Sequence, residues 1–238
     1  MSDVGRQRES NQDSFSYILF DEKDCFVVVC DGMGGQNAGD VASTMVKNFF
    51  YEKMNKFFKS CETIEEIKNL ILDCFNEINS RIYEKSLNFE EYKGMGTTCV
   101  VVVVKDLNLL VFNVGDSRAY LNFKDEFSQI TVDHSYVQIL LDFGKISKKE
   151  AKIHPRRNEI TKAVGIFEKI NVDYKIFNLY KNSEILVCTD GLTNSCSDEE
   201  IKKIVNEEAT IKNKVKKLVD VANNNGGQDN ITIVLIKI

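Results

Sequence analysis

Four aspartates in this chain stand at the mouths of strongly apolar runs, and that pattern limits what the chain can fold into. Asp31 follows Val27-Val28-Val29-Cys30, Asp116 follows Val111-Phe112-Asn113-Val114-Gly115, and Asp190 follows Ile185-Leu186-Val187-Cys188-Thr189. Asp229 precedes Asn230-Ile231-Thr232-Ile233-Val234. Short β-branched runs of this kind read as strands, and those without polar alternation as strands buried on both faces. Turn chemistry accounts for any one of the acids, because Asp-Gly is a common hairpin turn. Four are harder to explain that way. Strands lying side by side would gather the carboxylates at one sheet end, where bare acids repel and raise one another's pKa. A divalent cation removes that penalty. A ligand set of oxygens, with no histidine or cysteine in it, selects magnesium, manganese or calcium.

The glycines agree with a cation site. Gly32-Met33-Gly34-Gly35 lets the backbone approach an ion and offer a carbonyl. It is not a Walker loop, since no Gly-Lys-Ser/Thr follows, and it does not match the dinucleotide-binding glycine pattern.

The remaining periodicity sets the layers. Val41, Ala42, Met45, Val46, Phe49, Phe50, Met54, Phe57 and Phe58 recur at helical spacing. A second helix begins near Thr63, where Thr63 and Glu66 form a capping box; its stripe runs Ile64, Ile67, Ile71, Cys74, Phe75, Ile78, Ile82. Strands are expected at about Thr97–Lys105, Leu109–Gly115, Arg118–Phe123, Val172–Phe177, Ile185–Thr189 and Ile231–Ile238. Ser197 and Glu200 cap another helix, and a last one covers about Ile211–Asn223. The connection between Leu109–Gly115 and Arg118–Phe123 leaves no room for a crossover helix, so those strands are antiparallel. Two stacked sheets covered by helices is the architecture expected.

Hydrophobic residues make up 43% of the 238, enough for a sizeable core and against a disordered chain. With one proline, no low-complexity tract and no repeat, residues 1–238 read as one domain. The net charge of −5 and the lack of a basic stripe argue against nucleic acid. No secretory signal and no apolar run of membrane-spanning length is visible, so a cytoplasmic protein without stable membrane insertion is expected. The seven cysteines contain no CxxC and several lie in apolar runs, which fits buried free thiols in a reducing compartment. Only His134 and His154 are available as imidazole ligands, which argues against a zinc site.

Taken in order, the motifs resemble those of the PPM (type 2C) protein phosphatases in their compact bacterial form. They are Ser2-Asp3-Val4-Gly5, Arg8-Glu9-Ser10-Asn11-Gln12-Asp13, Val29-Cys30-Asp31-Gly32-Met33-Gly34-Gly35 and Gly94-Met95-Gly96-Thr97-Thr98. Asn113-Val114-Gly115-Asp116-Ser117-Arg118, Asp133-His134-Ser135, His154-Pro155-Arg156-Arg157-Asn158, Thr189-Asp190-Gly191-Leu192 and Gly227-Gln228-Asp229-Asn230 complete the set.

The resemblance implies an α+β fold. This is a four-layer α-β-β-α sandwich of two mostly antiparallel sheets flanked by helices, with a two-metal centre at one end. Asp31 would bridge two Mn2+ or Mg2+ ions, the Gly32 carbonyl would join one, and Asp190 and Asp229 would bind the other. Asp116, with Asp190, would hold a weaker third ion. Arg8 would grip the substrate phosphate, while Gln12, Asp13 and Asn230 would hold the ligands and their waters in place. Two cations sharing a water lower its pKa, so a bridging hydroxide would attack the phosphorus of phosphoserine or phosphothreonine. Residues 135–165 match the family's flap near the metal centre, where His154, Arg156 and Arg157 would meet substrate. The partners implied are phosphorylated proteins, including a cognate Ser/Thr kinase, and a monomer is the default state.

Two departures matter. Met33 lies where many members carry a histidine proposed as general acid, so the leaving alkoxide would take its proton from water. Gln12 stands where many have glutamate. A catalytically dead relative should have lost acids at the metal positions, and all four remain. The cysteine-dependent phosphatases are excluded, since no cysteine has an arginine six places on.

Overall fold

The computed structural model describes residues 1–35, 38–124 and 126–238. Its centre is two stacked sheets. The first orders β2 (Asp13–Leu19), β3 (Cys25–Met33), β5 (Cys99–Lys105), β6 (Asn108–Val114) and β9 (Asp173–Asn178), with the short β4 (Gly96–Thr97) pairing β3. The second orders β1 (Ser2–Asp3), β11 (Ile231–Lys237), β10 (Glu184–Cys188), β7 (Arg118–Phe123) and β8 (Glu126–Gln129). Every pairing is antiparallel, but β6 and β7, expected from their short connection to be antiparallel neighbours, lie in different sheets, so that turn crosses from one sheet to the other.

The continuous apolar runs have a simple reason: period-2 alternation sends their side chains into two different cores. Cys25, Val27 and Val29 of β3, with Val100, Val102 and Val104 of β5, meet Ala119, Ile185 and Val187 between the sheets. The alternate residues, Phe26, Val28, Cys30, Val101 and Val103, face the other way. There α1 (Ala38–Phe57) and α2 (Ile64–Asn88) cover them with Ala42, Val46, Phe50, Ile71 and Phe75. On the opposite outer face, α5 (Asp190–Thr193), α6 (Asp198–Val205) and α7 (Ile211–Asn224) pack Leu192, Ile201, Leu218 and Ala222 on Tyr120, Leu186, Ile231 and Ile233. The four-layer α-β-β-α order follows.

The capping boxes form as read. Thr63 Oγ1 accepts the Glu66 N–H at 3.2 Å while Glu66 accepts the Thr63 N–H at 2.9 Å, and Ser197 with Glu200 repeats the exchange. β7 spans the expected residues, and α7 runs one residue past its expected end. The strand expected from Thr97 is split. Thr97 belongs to β4 and Cys99 begins β5, with Thr98 between them turned to bond Asp31. Among the described residues, no helix is long and apolar enough to cross a membrane. All seven cysteines are free, and all but Cys61 are buried.

Antiparallel register brings the acids to one end. Asp13, starting β2, lies opposite Asp31 near the end of β3. Cys188, ending β10, pairs with Ile233, so the Asp190 end of β10 meets the Asp229 end of β11.

Candidate functional site

Each acid is held by its backbone neighbours. The Asp31 carbonyl accepts the Thr98 N–H and the Thr97 hydroxyl, both at 2.8 Å, and the Asp31 N–H donates to Thr98 Oγ1 at 2.9 Å. Gly32 is buried against the first turn of α1: a Cβ there would come within 2.2 Å of the Gly39 carbonyl. Its N–H donates to the Gln12 carbonyl at 3.1 Å. Asp190 opens α5, and its Oδ2 accepts from Asn194 Nδ2 at 2.9 Å. Asp116 sits in the β6–β7 turn after Gly115, whose φ of +110° suits glycine.

The N-terminal loop closes the rim. Asn230 donates to the carbonyls of Val4 and Ser10, each at 2.9 Å, and accepts the Gln12 N–H at 2.8 Å. Arg8 donates to Asp229 Oδ2 at 2.8 Å from an exposed position. Asp13 is buried and accepts the Thr189 hydroxyl at 2.8 Å, which links it to the residue before Asp190.

Electrostatics mark the cluster as short of positive charge. Burial, then the charges of Asp13, Asp190 and Asp116, push the Asp31 carboxyl well above the usual range. Asp116 is pushed up to about 8, by burial and then by Asp190 and Asp133. Asp13 rises to about 7, chiefly from burial. Asp190 is raised too, and lies within hydrogen-bonding reach of Asp31. Asp13 Oδ1 and Asp190 Oδ1 are buried without a hydrogen-bond partner. Orphaned carboxylate oxygens beside mutually repelling acids fit a hard cation. No three His, Cys, Asp or Glu side chains among the described residues are grouped so that together they could hold a metal ion. Magnesium-like ions need no such group of three, because they keep several waters and take one or two carboxylates each.

The flap residues are placed differently. The segment carries α3 (Tyr136–Asp142) and α4 (Lys148–Ile153). Arg156 is engaged by Glu159 through two bonds of 2.7 and 2.6 Å and stacks 3.5 Å over the Tyr136 ring. His154 Nδ1 accepts the Arg156 N–H at 3.1 Å. Arg157 lines a cleft of about 890 Å³ that reaches Asp116 and Asp190 and is walled by Lys148 and Lys152.

A protein phosphatase 2C sequence profile matches residues 5–235. The chain belongs to the protein phosphatase 2C family. As a member it is a phosphoprotein phosphatase, of the bacterial kind. It is 36% identical over 236 residues to the serine/threonine phosphatase stp of Listeria innocua, covering 99% of this chain and 93% of that one. It is 34% identical to the protein phosphatase PhpP of Streptococcus pneumoniae, covering 99% and 95%. The crystal structure of the serine/threonine phosphatase Stp1 from Staphylococcus aureus superposes with a TM-score of 0.93 at 35% identity, covering 100% of this chain and 93% of that one.

Within this family frame, some supporting residues carry roles that the motifs alone do not assign, and Asn194 lies outside the motifs. Thr97 and Thr98 pin Asp31, Asn194 orients Asp190, and Thr189 joins Asp13 to β11 by accepting the Thr232 N–H at 2.9 Å. Asp133 takes Arg118 in a fork, with bonds of 2.9 and 2.6 Å, beside Asp116. Adjacency to an acid was the signal available for Thr189. Asn194, four residues on, becomes a partner only because α5 forms.

Proposed function

We propose that this phosphatase hydrolyses phosphoserine and phosphothreonine monoesters on proteins, using paired Mn2+ or Mg2+ ions. Asp31, the Gly32 carbonyl, Asp190 and Asp229 would hold the pair, and Asp116 with Asp190 a weaker third ion. The observation that carries this is the convergence of uncompensated carboxylates from separate strands at one end of the sandwich. When bound, the cations supply positive charge to the phosphoryl oxygens and acidify water.

The chain's own residues do the rest. Asn194 holds Asp190 by one oxygen and leaves Oδ1 facing the centre. Asn230 staples the Val4–Gln12 loop against β11, which fixes the height of Arg8 over the acids. Arg8 neutralises Asp229, and its charge also acts on Asp31 and Asp190. With Asp229 among the cation's ligands, the Arg8 guanidinium fork would be available to two phosphoryl oxygens. Met33 has no proton to give, so the leaving alkoxide takes one from water. The whole of residues 1–238 would act as one catalytic domain in the cytoplasm, with a cognate Ser/Thr kinase among its substrates.

Purified protein should hydrolyse p-nitrophenyl phosphate and a phosphothreonine peptide with manganese present and lose both activities with chelator. A manganese-independent rate, or none at all, would remove the reading. Arg8→Ala should raise KM for the peptide by about tenfold, the scale of a lost charge-assisted bond. Unchanged steady-state constants would take Arg8 out of the substrate site.

A further inference from the structure

One buried side chain joins the flap to the acids. His134 is 7% exposed. Its Nδ1 accepts the Gly115 N–H at 3.0 Å, and its own N–H donates to the Gly115 carbonyl at 2.9 Å. It therefore holds both backbone polar groups of the residue before Asp116. A Cβ at Gly115 would lie 2.6 Å from the Thr98 side chain, so the turn also packs closely against Thr98.

The same histidine meets the flap at both roots. Its carbonyl accepts the Thr161 N–H at 2.8 Å, where the flap returns. Ser135, its neighbour, bridges Ile160, and the Tyr136 N–H donates to the Glu159 carbonyl at 2.8 Å, where the flap departs. The ring's far nitrogen, Nε2, faces Asp173 Oδ2 and Lys162 Nζ, each at 3.2 Å. A proton on Nε2, donated to Asp173, leaves Nδ1 as an acceptor for Gly115. Burial lowers the imidazole's pKa and keeps that neutral form.

We propose that His134 is a positioning residue that clasps the Asp116 turn to both roots of the flap, so that cation retention at Asp116 and Asp190 and ordering of the flap are one coupled event. This rests on Asp116 being a cation ligand, as proposed above. Coupling of this kind is reciprocal: whatever orders the flap tightens the cation, and the cation orders the flap.

The test compares His134→Leu, which removes the acceptor, with His134→Asn, whose amide oxygen can take the Gly115 N–H. Two quantities are read on the full chain: the manganese concentration for half-maximal p-nitrophenyl phosphate turnover, and amide hydrogen exchange across residues 135–165. His134→Leu should raise the manganese requirement on the order of tenfold, the scale for an outer partner of a metal ligand, and by more than turnover at saturating manganese falls. Flap amides should exchange about fivefold faster, the equivalent of one lost hydrogen bond. His134→Asn should recover both.

A folded His134→Leu with wild-type manganese requirement and flap exchange overturns the proposal. Asp116→Ala separates the two readings. If it leaves the manganese requirement unchanged, the ligand assignment falls. If it raises the requirement and His134→Leu does not, only the clasp falls. Should His134→Leu not fold, the wild-type protein decides: manganese should slow exchange at residues 134–136 and 159–162, and no slowing overturns the coupling.

Discussion

Asp190→Asn is expected to abolish manganese-dependent turnover while making the cation-free protein harder to melt. The loss should be about 10³-fold or more, the scale for removing preorganised charge at a reacting centre. The gain has a separate cause. Burial and the neighbouring Asp229 raise the Asp190 carboxyl, its Oδ1 is buried without a hydrogen-bond partner, and Asp31 lies within hydrogen-bonding reach. An amide removes one charge from that repulsion and can donate to Asp31. Melting without cation should rise by about 3–8 °C, as for one or two kcal/mol in a chain of this size. A merely structural aspartate would give the opposite sign, since its loss destabilises. Thermal melts in chelator, with turnover in manganese, check both halves, and a variant with wild-type turnover refutes the assigned site.

Manganese itself should raise the melting temperature more at pH 8 than at pH 5. Unfolded carboxyls titrate near ~4. In the fold burial pushes Asp13 up to about 7 and Asp116 up to about 8, and holds Asp31 well above the usual carboxylate range. The cation-free fold therefore binds more protons than the unfolded chain throughout this interval. Its stability falls as pH rises from ~4 to about 8, because folding must increasingly hold bare carboxylates together. Cation binding needs Asp31 and Asp116 ionised, so affinity and its stabilisation grow as pH rises. Melting curves at both pH values, with and without manganese, give the comparison. An increment that is equal at the two pH values, or larger at pH 5, would mean the raised carboxyls are not the cation's ligands.

Much of the layering could be read from residue pattern because the physics is local. The unbroken apolar runs of β3 and β5 can be stable only with cover on both faces. The α2 stripe, with its Thr63–Glu66 box, declares both the helix and the face it buries. The β8 strand was less visible, since Glu126-Phe127-Ser128-Gln129 pairs only one neighbour at an edge and buries little.

The chain's order of residues determined which acids stand at strand ends and which atoms are on offer. The expectation of a hard-cation site follows from those residue types and the order of motifs. What only the tertiary structure decided is who meets whom. Arg8 reaches Asp229 across 221 positions and Asp13 reaches Thr189 across 176, distances at which no local period carries information. Likewise Arg156 is engaged by Glu159 and Tyr136, while Arg157 faces the cleft, although the two are adjacent in sequence. Such pairings are set by the register of two sheets and by which loop closes over their common end, and these are properties of the whole packing.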